Sequence, residues 1–208
     1  MSKLKKQKAI KIMDELERMY PDAKCSLNYT YPYELLIATR LSAQCTDARV
    51  NVVTKDLFSK YPTLEAINEA PLEDIESTVK SCGLYKTKAR DIKLIAKSLI
   101  EDYGSIVPDT IEELTKLSGV GRKTANLIVG DIYQKPSVVC DTHCIRITNR
   151  LGLINTTDPL KAEKGLREVL DLTRSGDFCH RLVLFGREIC TARNPKCDVC
   201  PFECKIKK

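Results

Sequence analysis

Residues 117–126 read LSGVGRKTAN. Gly119 and Gly121 flank a valine, and Arg122 and Lys123 follow where a new helix begins. Upstream, Asp109 and Glu112 have the spacing of a capping box and predict a helix over 110–117. Downstream, Ala125, Ile128, Val129 and Ile132 fall at i, i+3, i+4 and i+7, one face of a second helix. Helix, glycine turn, helix is a tight hairpin, and glycine lets its backbone turn and approach another molecule. The N–H groups that open the second helix suit an anion. A helix N-terminus carries partial positive charge, so two cations there are disfavoured unless something negative, or some chemistry, compensates. A nucleic-acid phosphate would do so; the alternative is a plain interhelical turn with two surface cations.

The helical period continues on both sides of the hairpin. Ala9, Ile10, Met13, Leu16 and Tyr20 form a stripe that stops at Pro21. Residues 33–43 are a mostly apolar helix, and 47–60 carry Val50, Val53, Leu57 and Phe58, with Asp47 placed as the cap. Thr63 and Pro71 open two short acidic helices, and Gly83 follows the second as a C-terminal glycine. A longer basic helix over 86–102 ends at Gly104. Asp141 caps a helix over 142–151, and two more cover 159–171 and 177–190. No strand alternation appears, so the class is all-α, a compact helical bundle. GLYKTKARDI at 83–92 and GVGRKTANLI at 119–128 share a glycine turn before a basic helix start.

Composition narrows the function classes. The 208 residues carry 34 Lys and Arg against 28 Asp and Glu, a net charge of +6. That balance is compatible with a polyanionic partner without requiring one. Residues 65–76 hold five acids and no base, and 80–97 hold six bases and one acid, Asp91, which suggests one positive face; solvated helix faces would look the same. No apolar run is long enough to span a membrane, and the N-terminus lacks the pattern of an export signal. The chain is therefore expected in the cytoplasm, with no membrane partner. Disulfides are not expected there. Four of the ten cysteines, Cys190, Cys197, Cys200 and Cys204, crowd into the last nineteen residues. Their C-x6-C-x2-C-x3-C spacing suits either zinc or an iron–sulfur cluster. Cys140 and Cys144 flank Asp141 and suit small apolar packing. His143 and His180 have no partner at metal-ligand spacing.

Four segments, LSAQCTDARVN, GLYKTKA, LSGVGRKTAN and VVCDTHCIRITNRLG, together resemble the endonuclease III family of helix-hairpin-helix base-excision DNA glycosylases. The similarity runs in order over nearly the whole chain. It implies two helical domains with a DNA-binding cleft between them: a continuous one near 22–132 containing the hairpin, and a second made of 1–21 plus 133–208. It implies a catalytic pair, with Lys123 as nucleophile and Asp141 as the second catalytic residue. It further implies DNA contacts by Gln44, which fills the gap left by an extruded nucleotide, by Leu84 as a wedge, and by Gly119, Gly121 and Arg122 of the hairpin. His143 is a structural or DNA-contacting residue, and Arg193 and Lys196 face phosphate. The cysteines would hold a [4Fe–4S] cluster, although the family's usual last interval is five residues and here it is three.

The residue types fit that chemistry. A damaged base must leave the stack before its sugar can react. An amine can displace the base at C1′ and hold the sugar as a Schiff base, whereas an activated water would leave the backbone intact. Lys123 thus points to a bifunctional glycosylase and lyase. The resemblance implies that it acts on oxidised pyrimidines, as a monomer on nucleoid-associated duplex DNA with damaged bases or abasic sites. The alternatives are an adenine-type monofunctional glycosylase, which lacks the lysine, and a non-catalytic metal-stabilised DNA-binding module.

Overall fold

A computed structural model describes residues 2–204. Among them there are helices and turns and no strand. The first helix, α1, is Ser2–Met19. Seven follow: α2 (Pro32–Leu41), α3 (Asp47–Lys60), α4 (Leu64–Glu69), α5 (Leu72–Val79), α6 (Tyr85–Tyr103), α7 (Ile111–Leu114) and α8 (Arg122–Asp131). The last three are α9 (Thr142–Arg150), α10 (Pro159–Arg167) and α11 (Ser175–Glu188).

The chain divides into two compact units, one of residues 26–133 and one of residues 1–25 with 134–208. The sequence expectation of 22–132 differs at both ends. Ala23 N–H donates to the Tyr20 carbonyl, which keeps the turn after α1 with that helix. Tyr133 Oη donates to the Val107 carbonyl, which keeps it with the continuous unit.

In the continuous unit α6 is the central element. It packs against α2, α4 and α5, while α2 also meets α3 and α8. Ile92, Ile95, Ala96 and Leu99 of α6 are fully buried, as are Leu35, Leu36, Ile37 and Leu41 of α2. The near-continuous apolar run of α2 follows from its position, with other helices on most sides. In the split unit α1 and α9 both pack on α11, around Phe178, Leu182 and Phe185.

Several local expectations shift. The buried stripe of α1 runs through Ala9, Ile12, Met13 and Leu16, and Ile10 is exposed. Thr46, not Asp47, caps α3, its side chain accepting from Arg49 N–H. Thr110, not Asp109, caps α7 by accepting from Glu113 N–H, and that helix is a single turn. A 3₁₀ turn over Lys80–Cys82 separates α5 from Gly83, and another over Leu172–Arg174 separates α10 from α11. Each cap moved one residue because Ser, Thr and Asp all serve, and the local backbone selects among them.

Candidate active site and nucleic-acid interface

The hairpin is anchored from below. Leu114, Leu117 and Val120 are buried, and Val120 N–H donates to the Leu117 carbonyl at 3.2 Å. Gly119 has φ +69°, the left-handed region that side chains disfavour. Gly121 is the N-cap of α8, where no side chain caps the first turn and no acidic residue stands in it. Ala125, Ile128 and Val129 bury the inner face of α8. Arg122 and Lys123 are exposed at its head. The cation placement read from sequence is therefore present in the fold, with no acidic residue in the first turn of α8.

Gln44 and Leu84 lie in the same unit, each in a turn before a helix. Both are non-glycine residues in the left-handed region, at φ 56° and 49°, and both are exposed. Such backbones cost about 1–3 kcal/mol each and persist where surroundings over-determine them. The surroundings here include Lys88, which is fully buried. Its Nζ donates to the carbonyls of Leu41 and Cys82, both at 2.8 Å. One ammonium thus ties the turn leading to Gln44 to the turn leading to Leu84. Desolvation holds that ammonium below the usual lysine value. Burial, with Cys45 hydrogen-bonded beside it, pushes the Cys82 thiol up to about 11. Lys88 was counted as part of a positive face in the sequence; it belongs to the interior instead. Lys93 is also turned inward, onto the carbonyls of Asn68 and Ala70. Lys80, Lys86, Arg90 and Lys97 remain exposed. Only the hydrophobic position of Lys88 on α6, three residues from Asp91 and four from Ile92, hinted at burial.

In the split unit Asp141 caps α9. Its Oδ1 accepts from Cys144 N–H at 2.7 Å, which leaves the second oxygen outside the cap. His143 is half-buried, and desolvation lowers its pKa from the ordinary imidazole value. Its Nδ1 stands 3.2 Å from Arg146 Nη2, and Arg146 donates on to the carbonyls of Gly186 and Cys190 at 3.3 and 2.9 Å. Cys140 and Cys144 are buried. Hydrogen bonds that the Cys144 S–H makes with Cys140 and Cys179, together with burial, raise its thiol well above its usual value. Neither its protonation nor its accessibility suits a nucleophile.

The C-terminal loop is held at its start by α9. Arg150 Nη1 donates to Cys190 Sγ at 3.3 Å and to the Thr191 carbonyl at 2.7 Å, and Nη2 to the Ala192 carbonyl at 3.0 Å. Arg146 and Arg150, one turn apart, were not singled out from sequence; their i, i+4 spacing opposite the cysteine segment was the available signal. Cys190 is buried, while Cys197, Cys200 and Cys204 are half-buried, and Cys200 and Cys204 pack on the core of this unit. Arg193 and Lys196 are exposed on the loop. The donor set, four thiols with a guanidinium beside one of them, suits an iron–sulfur cluster. Among the described residues no three Cys, His or acidic side chains converge on one ion position. A metal-coupled fold does not require a preformed site.

Comparison with known proteins decides the family. The model of the HhH-GPD superfamily of base excision DNA repair proteins matches residues 37–171. Endonuclease III of Bacillus subtilis (strain 168) is 45% identical over 190 residues, covering 91% of this chain and 87% of that protein. The chain belongs to the endonuclease III family. A trapped endonuclease III–DNA covalent intermediate superposes with a TM-score of 0.89 at 44% identity, covering 95% of this chain and 93% of that one. A non-covalent endonuclease III–DNA complex does so with 0.89 at 45% identity, covering 94% and 92%. This endonuclease III relative is a bifunctional DNA glycosylase and abasic-site lyase for oxidised pyrimidines. The iron–sulfur binding domain of endonuclease III matches residues 190–203, and the cofactor is a [4Fe–4S] cluster. That match ends one residue short of Cys204. No helix among the described residues is long and apolar enough to cross a membrane.

Proposed function

We propose that this protein removes oxidised pyrimidines and cuts the strand through one nucleophile, Lys123. What carries this reading is the exposed amine at the second residue of α8, on a hairpin whose backbone is anchored from below. The hairpin amides at Gly119, Gly121 and Arg122 hold a phosphate of the damaged strand, which offsets the positive helix end. Lys123, as the neutral amine, attacks C1′ of the extruded nucleotide; the C1′–N bond to the base breaks and the base leaves with a proton. The sugar ring opens to a Schiff base on Nζ. That adduct acidifies C2′, whose proton is lost as the 3′ phosphate departs by β-elimination. Asp141 stabilises positive charge developing on the sugar and assists proton transfer, with the oxygen that the cap does not use. His143 contacts the DNA backbone. Duplex DNA with damaged bases or abasic sites is the partner. The protein acts as a monomer, since one chain supplies both catalytic residues, and it works on cytoplasmic, nucleoid-associated DNA.

Wild-type protein treated with borohydride on oxidised-pyrimidine duplex should form a covalent complex; intact strands and no complex would overturn the reading. Gln44 and Leu84 enter the stack, Leu84 as wedge and Gln44 as gap filler. Leu84→Ala should slow reaction at a paired lesion by about tenfold, because an unstacking cost of a few kcal/mol is no longer offset. At an abasic site, where no base pair opens, the rate should stay within about twofold. Equal losses on both substrates would remove the wedge.

Cys190, Cys197, Cys200 and Cys204 are the proposed ligands, and their cluster supports the loop that presents Arg193 and Lys196 to phosphate. Anaerobically purified protein should be brown, with iron and acid-labile sulfide in near-equal amounts. Cys204→Ser should lower both. Full iron and sulfide in that variant would exclude Cys204 as the fourth ligand.

A further inference from the structure

The hairpin turn rests on a buried ion pair that neither of its own helices supplies. Arg40, in the last turn of α2, meets Asp91 of α6. Arg40 Nε donates to Asp91 Oδ2 at 2.7 Å, and Nη2 lies 2.6 Å from the same oxygen. Their side chains are only 14% and 13% exposed. The other carboxylate oxygen, Oδ1, accepts from Ser118 Oγ at 2.7 Å. Both oxygens of Asp91 are thus engaged, one by α2 and one by the turn. Gly119 lies directly on the pair. A Cβ there would collide with Arg40 Nε and stand 2.8 Å from both Arg40 Cδ and Asp91 Oδ2.

A buried ion pair adds little net stability, because desolvation consumes most of its Coulomb energy, and an apolar replacement of both partners is often neutral. What this pair supplies is position. The guanidinium is a flat floor under Gly119, and the carboxylate fixes the hydroxyl of the preceding residue. Gly121 and Lys123 follow on a backbone with no slack, since Leu117 and Val120 on either side are buried. The turn can neither sink nor rotate without breaking a charge-assisted hydrogen bond.

We propose that Arg40 and Asp91 are positioning residues for the reaction, setting the height and orientation at which the hairpin presents Lys123. The inference rests on the reading of Lys123 as nucleophile. Misplacing a reacting group by about 1 Å can cost roughly 100-fold.

The test is single-turnover cleavage of abasic duplex at saturating protein, with DNA affinity and the urea midpoint measured alongside. The Arg40→Leu/Asp91→Leu double variant should retain a midpoint near wild type and bind DNA within about threefold, yet cleave about 10- to 100-fold more slowly. Asp91→Asn keeps its amide oxygen as acceptor for Arg40 and turns its NH2 to Ser118 Oγ, which can accept instead of donate, and should recover most of the rate. A folded double variant that cleaves at the wild-type rate would overturn the proposal, and so would Asp91→Asn cleaving as slowly as the double variant. Should the double variant fail to fold, Gly119→Ala decides. Its loss of rate should be partly relieved in an Arg40→Ala background, because the colliding side chain is gone; backbone strain at φ +69° alone would give the same loss in both backgrounds and overturn the proposal. Lys123→Gln in the same assay separates the two readings: cleavage by that variant would refute the nucleophile, whereas its silence with a fully active double variant would refute only the brace.

Discussion

Lys123→Gln is expected to bind lesion-containing duplex within a few-fold of wild type, to form no borohydride-trapped complex and to lose strand cleavage by at least about 10⁴-fold. Removing a covalent nucleophile costs that order because the remaining groups cannot substitute for the bond it makes. The substitution should be benign for folding. Lys123 is exposed at the second residue of α8, and glutamine and lysine have similar helix propensities. Asp141→Asn provides the contrast. Asparagine caps a helix as well as aspartate does, so α9 should keep its first turn. Base removal should slow, while some trapping on preformed abasic sites should persist. If Lys123→Gln merely loses affinity and cuts normally at saturating protein, the lysine is a phosphate contact and the nucleophile lies elsewhere.

Gly186→Ala should destabilise the protein by about 1–2 kcal/mol and slow base removal by about tenfold or more. In an open helix position the same change would stabilise by up to about 1 kcal/mol. At Gly186 α11 packs directly on α9. A Cβ there would collide with His143 Nδ1 and would lie 2.9 Å from both Arg146 Nη2 and the Ile147 methyl Cδ1. Ile147 is fully buried, and Arg146 is held by the carbonyls of Gly186 and Cys190, so neither can yield freely. Overpacking of this kind costs about 1–3 kcal/mol. The strain falls on the first turn of α9, two residues from Asp141, and any shift there moves the carboxylate. Urea unfolding and single-turnover excision would measure the two effects. A variant as stable and as fast as wild type would show that α9 and α11 have room that the fold does not display.

The sequence by itself determined the helical class, most helix positions, the hairpin and the cysteine segment. These follow from local rules: apolar residues three and four apart, caps within three residues of what they bind, glycine where φ must be positive. Those rules placed α3 and α8 and named Asp141 as a cap, because each depends on neighbours a few residues away. They also brought Lys123 and the hairpin glycines into view as a unit. They misplaced the inner face of α1 at Ile10, since Ile10 and Ile12, two residues apart, each fall three or four residues from other members of the stripe, and only the packing of α11 selects Ile12. They could not show that Lys88 is interior, because its two carbonyl partners come from residues 47 and 6 positions away. The left-handed backbones of Gln44 and Leu84 were equally hidden, since neither residue type prefers that conformation. Nothing local marks Arg40 on its mostly apolar helix, and Asp91 read as the one acid in a basic run. Their pairing spans 51 residues, and the contact to Ser118 another 27. A buried charge is tolerated only where distant segments bring its partner, and that condition is met by the tertiary structure alone.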